Sequence, residues 1–507
     1  MGNFIAQSLA DKVGDDASPW PYWLNVLDNP ATHLPAELAC HIDSTIAKSW
    51  LRMAPERRAF LELLSRIDLS SDQAAIVAIP EERKKLGIDL QDSAFVENPY
   101  LIYEASRLSR TPISVGVVDR GMFPTSYLRN QFPISEPTLV KTAVDARRLR
   151  ALTIRELETA AVSGHTLRSR EDVILSLRKR EEGAEEQNTE VTADLLAVAE
   201  DERFTGEIRL VSIAGGSPAY QLERLGAVGD LIRRTVDRRT DPKTSKRHDL
   251  QVNWRDEIDA SFTDPMPTEP EERDKEERAR EEKAAALAEL AASRFSVLIG
   301  PAGTGKTTLL SILCKRPEIH DDNILLLAPT GKARVRMEEV VRKENIPNFE
   351  AKTLAQFLNG TGRYDGRTQR YLLTGRPGDK GARTVIVDEC SMLTEEMMAA
   401  LLEALEGVHR LIFVGDPRQL PPIGAGRPFV DIIARLTPDA VETIFPRVGP
   451  AYAELTVLRR QGSGERDDLQ LAAWFGGSGT GPGDDQVFEI LAGRCKSDTI
   501  RWRWVTW

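Results

Sequence analysis

From Phe295 onward, compact apolar runs alternate with stretches of helical spacing. Phe295–Ile299, Leu325–Leu327, Val385–Val387 and Leu411–Val414 have the pattern of strands buried on both faces of a parallel sheet. Leu309–Leu313 continues an apolar helix directly after the first of them. This half of the chain therefore predicts an α/β fold.

The first half reads differently. Residues 1–90 alternate helix-like apolar patches with Pro and Asp breaks, and Trp20, Trp23 and Trp50 are expected to fill a small helical core. Asn98-Pro99 is a turn signal, and Tyr100–Leu108 has helical spacing. Arg147-Arg148-Leu149-Arg150 opens an apolar-periodic helix to Val162, Gly164 punctuates, and Ser169–Leu177 predicts another helix. Short helices with clustered arginines fit a winged-helix or helix-turn-helix unit. A solvated helix face is the other reading, and charge clustering alone favours it. Residues 178–202 are Glu-rich, and the alternation over 204–213 predicts a short strand pair. Pro265, Pro267 and Pro270 mark a boundary, after which a charged helix with a solvated face leads onward. The expected organisation is a helical region 1–90, an accessory region 91–262, a charged helical linker 263–290, an α/β domain 291–440 and a further stretch 441–507.

The formal net charge is −11 over 507 residues, so a globally basic nucleic-acid binder is not indicated, although a local basic groove needs no basic total. Cys40, Cys314, Cys390 and Cys495 lie far apart without a C-x-x-C pair, which argues against a zinc site or a disulfide framework. No leader-like start and no apolar run of spanning length is present, so no membrane partner and a cytoplasmic location are expected.

The chemistry starts at Gly300-Pro301-Ala302-Gly303-Thr304-Gly305-Lys306-Thr307-Thr308, a G-x-x-x-x-G-K-[ST] phosphate loop between a strand and a helix. Its glycines let backbone N–H groups face phosphate, Lys306 can reach the β- and γ-phosphates, and the Thr307 hydroxyl can bind Mg²⁺. Val385-Ile386-Val387-Asp388-Glu389 is a strand ending in two carboxylates: Asp388 suits Mg²⁺, and Glu389 suits polarising an attacking water. Leu411–Val414 runs into Gly415-Asp416-Pro417-Arg418-Gln419-Leu420-Pro421-Pro422, where Gln419 can contact the γ-phosphate or the water near it.

That last string resembles motif III of superfamily-1 helicases. Ala328-Pro329-Thr330-Gly331-Lys332-Ala333 resembles motif Ia, and Ala351-Lys352-Thr353-Leu354 the next DNA-contacting motif. Asp388-Glu389-Cys390-Ser391-Met392 resembles motif II, and Leu455-Thr456-Val457-Leu458-Arg459-Arg460-Gln461 resembles motif IV. Together, over residues 295–461, the set is similar to the RecD-like branch of superfamily 1; Asn98-Pro99-Tyr100 resembles a short string from the N-terminal region of such proteins. The resemblance implies a P-loop, RecA-like parallel sheet (helicase domain 1A), the start of a second RecA-like domain over 441–507, and a mainly helical N-terminal region. It implies an ATP-dependent 5′-to-3′ DNA helicase or translocase of repair or recombination, using ATP and Mg²⁺.

The same resemblance places Lys306, Asp388, Glu389, Gln419 and Arg460 in catalysis, with Arg460 reaching the γ-phosphate. It places Pro329, Thr330, Lys332 and Thr353 on single-stranded or junction DNA. Phe357, Tyr364 and Tyr371 are read either as base-stacking groups or as packing, with packing favoured. Two departures stand out. The stretch Glu281–Leu287 lacks the glutamine that reads adenine, which leaves ATP against other nucleotides open, and no counterpart of motifs V and VI follows. A second polypeptide completing the motor is therefore among the expected partners. The alternative reading is a nucleotide-gated DNA-binding regulator or scaffold. An AAA+ or packaging ATPase is disfavoured by Gly415–Pro422.

Overall fold

The computed structural model describes residues 19–125, 138–178, 191–213, 215–262, 265–321, 323–376, 378 and 381–457. Contacts divide the chain into two units, Met1–Thr159 with Leu167–Glu223, and Ala160–Thr166 with Arg224–Trp507.

The first unit opens with short helices between Pro19 and Met122. Proline at the first helical position (Pro30, Pro55, Pro80) and a Ser70–Gln73 capping box start them where the sequence breaks its apolar periodicity. Trp23 and Trp50 meet edge to face, with centroids 6.3 Å apart, against a small cluster of Val26, Leu27, Leu34 and Ile42. The Trp20 side chain lies outside the described residues.

The Arg147–Arg150 run corrects the solvated-face expectation. Arg148 is buried and grips both oxygens of Asp119 at 2.7 and 2.8 Å, and the buried Tyr100 hydroxyl donates to the same carboxylate. Arg150 pairs with the buried Glu104 at 3.0 Å, and Arg147 with Asp145. Arg148 and Arg150 bind helices of the unit to one another, because carboxylates far away in sequence come to face them, whereas the Arg147 pair is local.

Helix α1 (Ala146–Val162), strand β1 (Leu167–Ser169), α2 (Arg170–Arg178), α3 (Ala193–Arg203), β2 (Ile208–Ser212) and β3 (Pro218–Leu222) follow, with an antiparallel sheet in the order β1-β3-β2. The alternation over 204–213 supplies only β2, whose hairpin partner lies beyond the glycine turn, with Ile208 opposite Leu222.

In the second unit, α4 (Glu223–Thr240) and α5 (Trp254–Ser261) precede α6 (Pro270–Ala292). Trp254, Ile258 and Phe262 share one core with Leu287, Leu290, Leu309 and Leu313, so the end of the expected accessory region belongs to the second unit. Nor is α6 a solvated linker throughout. Its first turns are exposed, but Ala279, Glu282, Lys283, Ala286, Leu287 and Leu290 are buried, because the charged run gives way to alanine and leucine.

The sheet contains β4 (Phe295–Ile299), β5 (Ile324–Ala328), β6 (Phe349–Thr353), β9 (Thr384–Val387), β10 (Arg410–Gly415), β11 (Val448–Gly449) and β12 (Tyr452–Glu454), with β7 (Tyr364–Asp365) and β8 (Arg370–Tyr371) forming a separate ribbon. Its order is β11-β12-β4-β10-β9-β5-β6, parallel from β12 to β6 and antiparallel only at β11. The strands β4, β5, β9 and β10 are wholly buried, as their apolar runs predict. One strand, β10, separates the phosphate-loop strand β4 from the carboxylate strand β9, which is the RecA-type order. The described start of 441–507 does not open a new domain: β12 pairs with β4 and extends this same sheet, Ala453 lying beside Leu298. Residues 458–507 lie outside the described residues.

Candidate active site

Parallel strands deliver their carboxyl ends to one edge of a sheet, and each predicted motif begins where a strand stops. After β4 the chain turns through 300–305 into α7 (Lys306–Cys314). Gly303 and Gly305 have φ of 89° and 87°, a left-handed backbone open to glycine, which directs the loop's N–H groups inward. The buried Thr304 hydroxyl donates to the Pro301 carbonyl at 2.9 Å and braces the loop. Ala302 and Gly303 are exposed at its tip; Thr307 is half-buried and Thr308 exposed in the first turn of α7. Lys306 folds over the loop, its ammonium donating to the carbonyls of Gly300 and Pro301.

At the end of β9, Asp388 N–H continues the ladder to the Leu327 carbonyl at 2.9 Å, and Glu389 N–H donates to Asp388 Oδ1 at 2.9 Å. Glu389 has φ 54°, an uncommon conformation for a residue with a side chain and one that collects at functional sites. Burial pushes the Asp388 carboxyl up from its ordinary value, against Lys306 and Arg336. Burial, then the neighbouring Asp388, does the same to Glu389. Burial lowers Lys306, which the carboxylates Asp416, Asp388 and Glu389 oppose. The lysine and the carboxylates are thus close enough to sense one another, as expected of a site waiting for a charged ligand.

Two members of this cluster escape the motif reading. Asp416 is buried immediately after β10, and among the carboxylates it acts most strongly on Lys306; its position in the Gly-Asp dipeptide ending a buried strand was the available signal. Arg336 lies on the helix after β5, α8 (Gly331–Lys343), and only its helical phase pointed to it. Gln419 is exposed on the loop after β10, its N–H donating to the Asp416 carbonyl at 3.1 Å. Arg460 lies outside the described residues, but the chain leading to it passes the phosphate loop. Leu455 N–H donates to the Ile299 carbonyl at 2.8 Å, and a Cβ on Gly300 would stand 2.6 Å from the Leu455 carbonyl oxygen. Thr456, through N–H and hydroxyl at 2.6 Å each, and Val457 N–H at 3.3 Å donate to the buried Glu282 of α6.

Pro329, Thr330 and Lys332 cluster at the end of β5, with Lys332 exposed. Thr330 caps α8, accepting from Ala333 N–H at 3.2 Å, and Thr353 caps α9 (Leu354–Gly360) in a capping box with Gln356. The Asn and Gln of such caps, like these threonines, serve local structure first; each threonine keeps its hydroxyl proton to donate elsewhere. Phe357 is buried, and Tyr364 packs on Tyr371 with centroids 4.9 Å apart, so the packing reading holds for these aromatics.

Mg²⁺ favours hard oxygen ligands and keeps water and substrate phosphate in its shell. The Thr307 hydroxyl with Asp388 fits that demand, and among the described residues no group of three or more Asp, Glu, His or Cys closes a metal cage. Among the described residues no helix is long and apolar enough to cross a membrane.

A phosphate loop on a RecA-type sheet, with two carboxylates from the second strand away, has the architecture of a P-loop nucleotide-binding unit. Residues 278–474 match the family model of the AAA domain. The chain is 33% identical over 208 residues to the RecBCD enzyme subunit RecD of Mycolicibacterium smegmatis, covering 37% of each chain. It is 37% identical over 163 residues to RecD of Mycobacterium tuberculosis (29% of this chain, 28% of the relative) and 37% identical over 147 residues to the ATP-dependent RecD2 DNA helicase of Deinococcus radiodurans (29% and 19%). The resemblance to RecD-like superfamily-1 helicases therefore stands for the second unit, while the chain spans well under half the length of these relatives. A solved Bacteroides sp Pif1 in complex with ADP-AlF4 superposes over 42% of this chain and 49% of its own, at 20% identity and a TM-score of 0.27, too loosely to add to the argument.

Proposed function

We propose that this chain is the ATPase part of a DNA helicase or translocase, hydrolysing ATP while moving 5′ to 3′ on single-stranded DNA in repair or recombination, in the cytoplasm. The observation that carries the reading is the convergence of Lys306, Asp388, Glu389 and Asp416 at the carboxyl edge of one parallel sheet. In this reading the loop 300–308 cradles the phosphates and Lys306 leaves its two carbonyls for the β- and γ-phosphates. Thr307 and Asp388 hold Mg²⁺, which would neutralise phosphate charge. Glu389 accepts a proton from the attacking water, its raised pKa suiting it as a base. Gln419 senses the γ-phosphate from its exposed loop, and Arg460 completes the charge.

Pro329, Thr330, Lys332 and Thr353 hold the DNA backbone, contacts that position a strand without reading it. Duplex or junction DNA would fall to the first unit, whose α1-β1-α2-α3-β2-β3 order is that of a winged helix. The exposed face of α3 argues against groove reading by that helix: Asp194, Asp201 and Glu202 outnumber Arg203 there.

The test is ATP hydrolysis with and without single-stranded DNA, for this chain and Lys306→Ala. DNA-stimulated turnover that disappears in the variant supports the motor. Binding of nucleotide and DNA without turnover moves the reading to a nucleotide-gated regulator.

A further inference from the structure

Helix α8 carries arginines in two situations. Arg334 and Arg342 both pair with Glu338, one turn away on either side. Arg336 stands about 200° round the helix from Arg334, so it points away from that pair. It is exposed, and among the described residues it forms no hydrogen bond or ion pair. Its helix begins at the carboxyl end of β5, and β5 lies directly beside β9, with Leu327 opposite Val387, one residue before Asp388. The charge of Arg336 acts on Lys306, Asp388 and Glu389 together. The cluster thus holds three carboxylates (Asp388, Glu389, Asp416) and two cations, one of them with no partner of its own.

We propose that Arg336 is a second cation for the terminal phosphate of a bound nucleoside triphosphate, supplied by the same unit that supplies the phosphate loop. The inference rests on the ATPase reading above and names a residue that reading does not use. A terminal phosphate cradled by Lys306 and faced by Glu389 lies within the field of this guanidinium. An arginine fork offers donors to outer phosphate oxygens that the lysine leaves open. A diphosphate has no group in that place, so Arg336 separates tri- from diphosphate and contributes little to holding either base or sugar. The same chemistry has a second source, a DNA phosphate, because α8 starts at the Thr330–Lys332 turn; the register that sets the end of β5 beside the residue before Asp388 favours the nucleotide.

The experiment measures binding of fluorescent Mg·ATP and Mg·ADP analogues, and of labelled oligodeoxythymidine without nucleotide, to the full chain and to Arg336→Ala, Arg336→Lys and Lys306→Ala. In Arg336→Ala, triphosphate affinity should fall by about 10- to 30-fold, the scale of a charge-assisted hydrogen bond. Diphosphate and oligonucleotide affinities should stay within about twofold, and Arg336→Lys should recover part of the loss. Equal losses for both nucleotides, a loss confined to the oligonucleotide, or no change would each overturn the assignment. If the parent chain binds neither nucleotide, the ATPase reading itself falls and takes this inference with it. If the parent binds both and Arg336→Ala matches it, only the inference falls.

Discussion

The ion pairs of the first unit and the carboxyl edge of the second unit's sheet handle charge in different ways. In the first, Arg148, Arg150, Arg107 and Arg170 each end on carboxylates, several of them buried, and the pairs tie helices and strands together. At the carboxyl edge of the second unit's sheet, three carboxylates act on Lys306 while the lysine rests on backbone carbonyls and Arg336, among the described residues, on nothing. Matched charge holds a fold; charge gathered at one edge without direct ion pairs among the described residues marks a place for a ligand. The lesson is that a charged sequence run has no meaning until its partners are known.

The comparison breaks most visibly at Glu389. Glu389→Gln should lower single-turnover ATP hydrolysis by about 10²- to 10⁴-fold while Mg·ATP binding persists; unchanged turnover would remove Glu389 as the base. In the first unit, Asp119→Ala removes the carboxylate that the buried Arg148 grips and should cost about 3–5 kcal/mol in denaturant unfolding. A double replacement of Asp119 and Arg148 by apolar residues should recover much of that, and an unaffected midpoint in Asp119→Ala would deny the pairing its role.

Glu395, at the start of α10 (Glu395–Ala404), tests mismatch inside the second unit. One of its oxygens is buried and, among the described residues, without a hydrogen-bond partner, and burial, then Asp431, raises its pKa from 4.5 to about 7. Asp431 is itself raised by burial and faces Arg427. A folded pKa above the unfolded one gives stability that is complete below about pH 4.5 and fades as pH rises through about 7. Between pH 5 and pH 8 this group should therefore cost on the order of 3 kcal/mol. Glu395→Gln should flatten that dependence and raise the melting temperature at pH 8; an unaltered pH profile would refute the assignment.

The smallest effect belongs to Thr353. Thr353→Ala should lose about 1 kcal/mol of stability as a lost cap, and Thr353→Ser almost none. Oligonucleotide affinity that falls in Ala and returns in Ser at constant salt would support the DNA contact as well.

Much of the second unit was legible because its chemistry is local. A buried strand is a run of apolar residues, and the phosphate loop and the Asp388-Glu389 pair each occupy a few consecutive positions. The edge was not legible. Phe349–Thr353 is a half-exposed edge strand with glutamate and lysine in it, and β12 is three residues long, recognisable only by pairing with β4 some 150 positions earlier. The same distance hid the ion pairs of the first unit, since Arg148 and Asp119 are 29 residues apart. Arg336 was half legible: Glu338 lies four residues from both Arg334 and Arg342, which commits those two and sets Arg336 apart by helical phase alone.

The knot at Glu282 has a mechanical meaning. Thr456 and Val457 are tied to α6, while Leu455 is stitched to the last residue of β4 and presses on Gly300. Tension on Thr456 and Val457 therefore reaches the phosphate loop through a single intervening residue, Leu455. The load path through the polypeptide ends at the place where fuel would enter, so force and nucleotide occupancy share one anchorage.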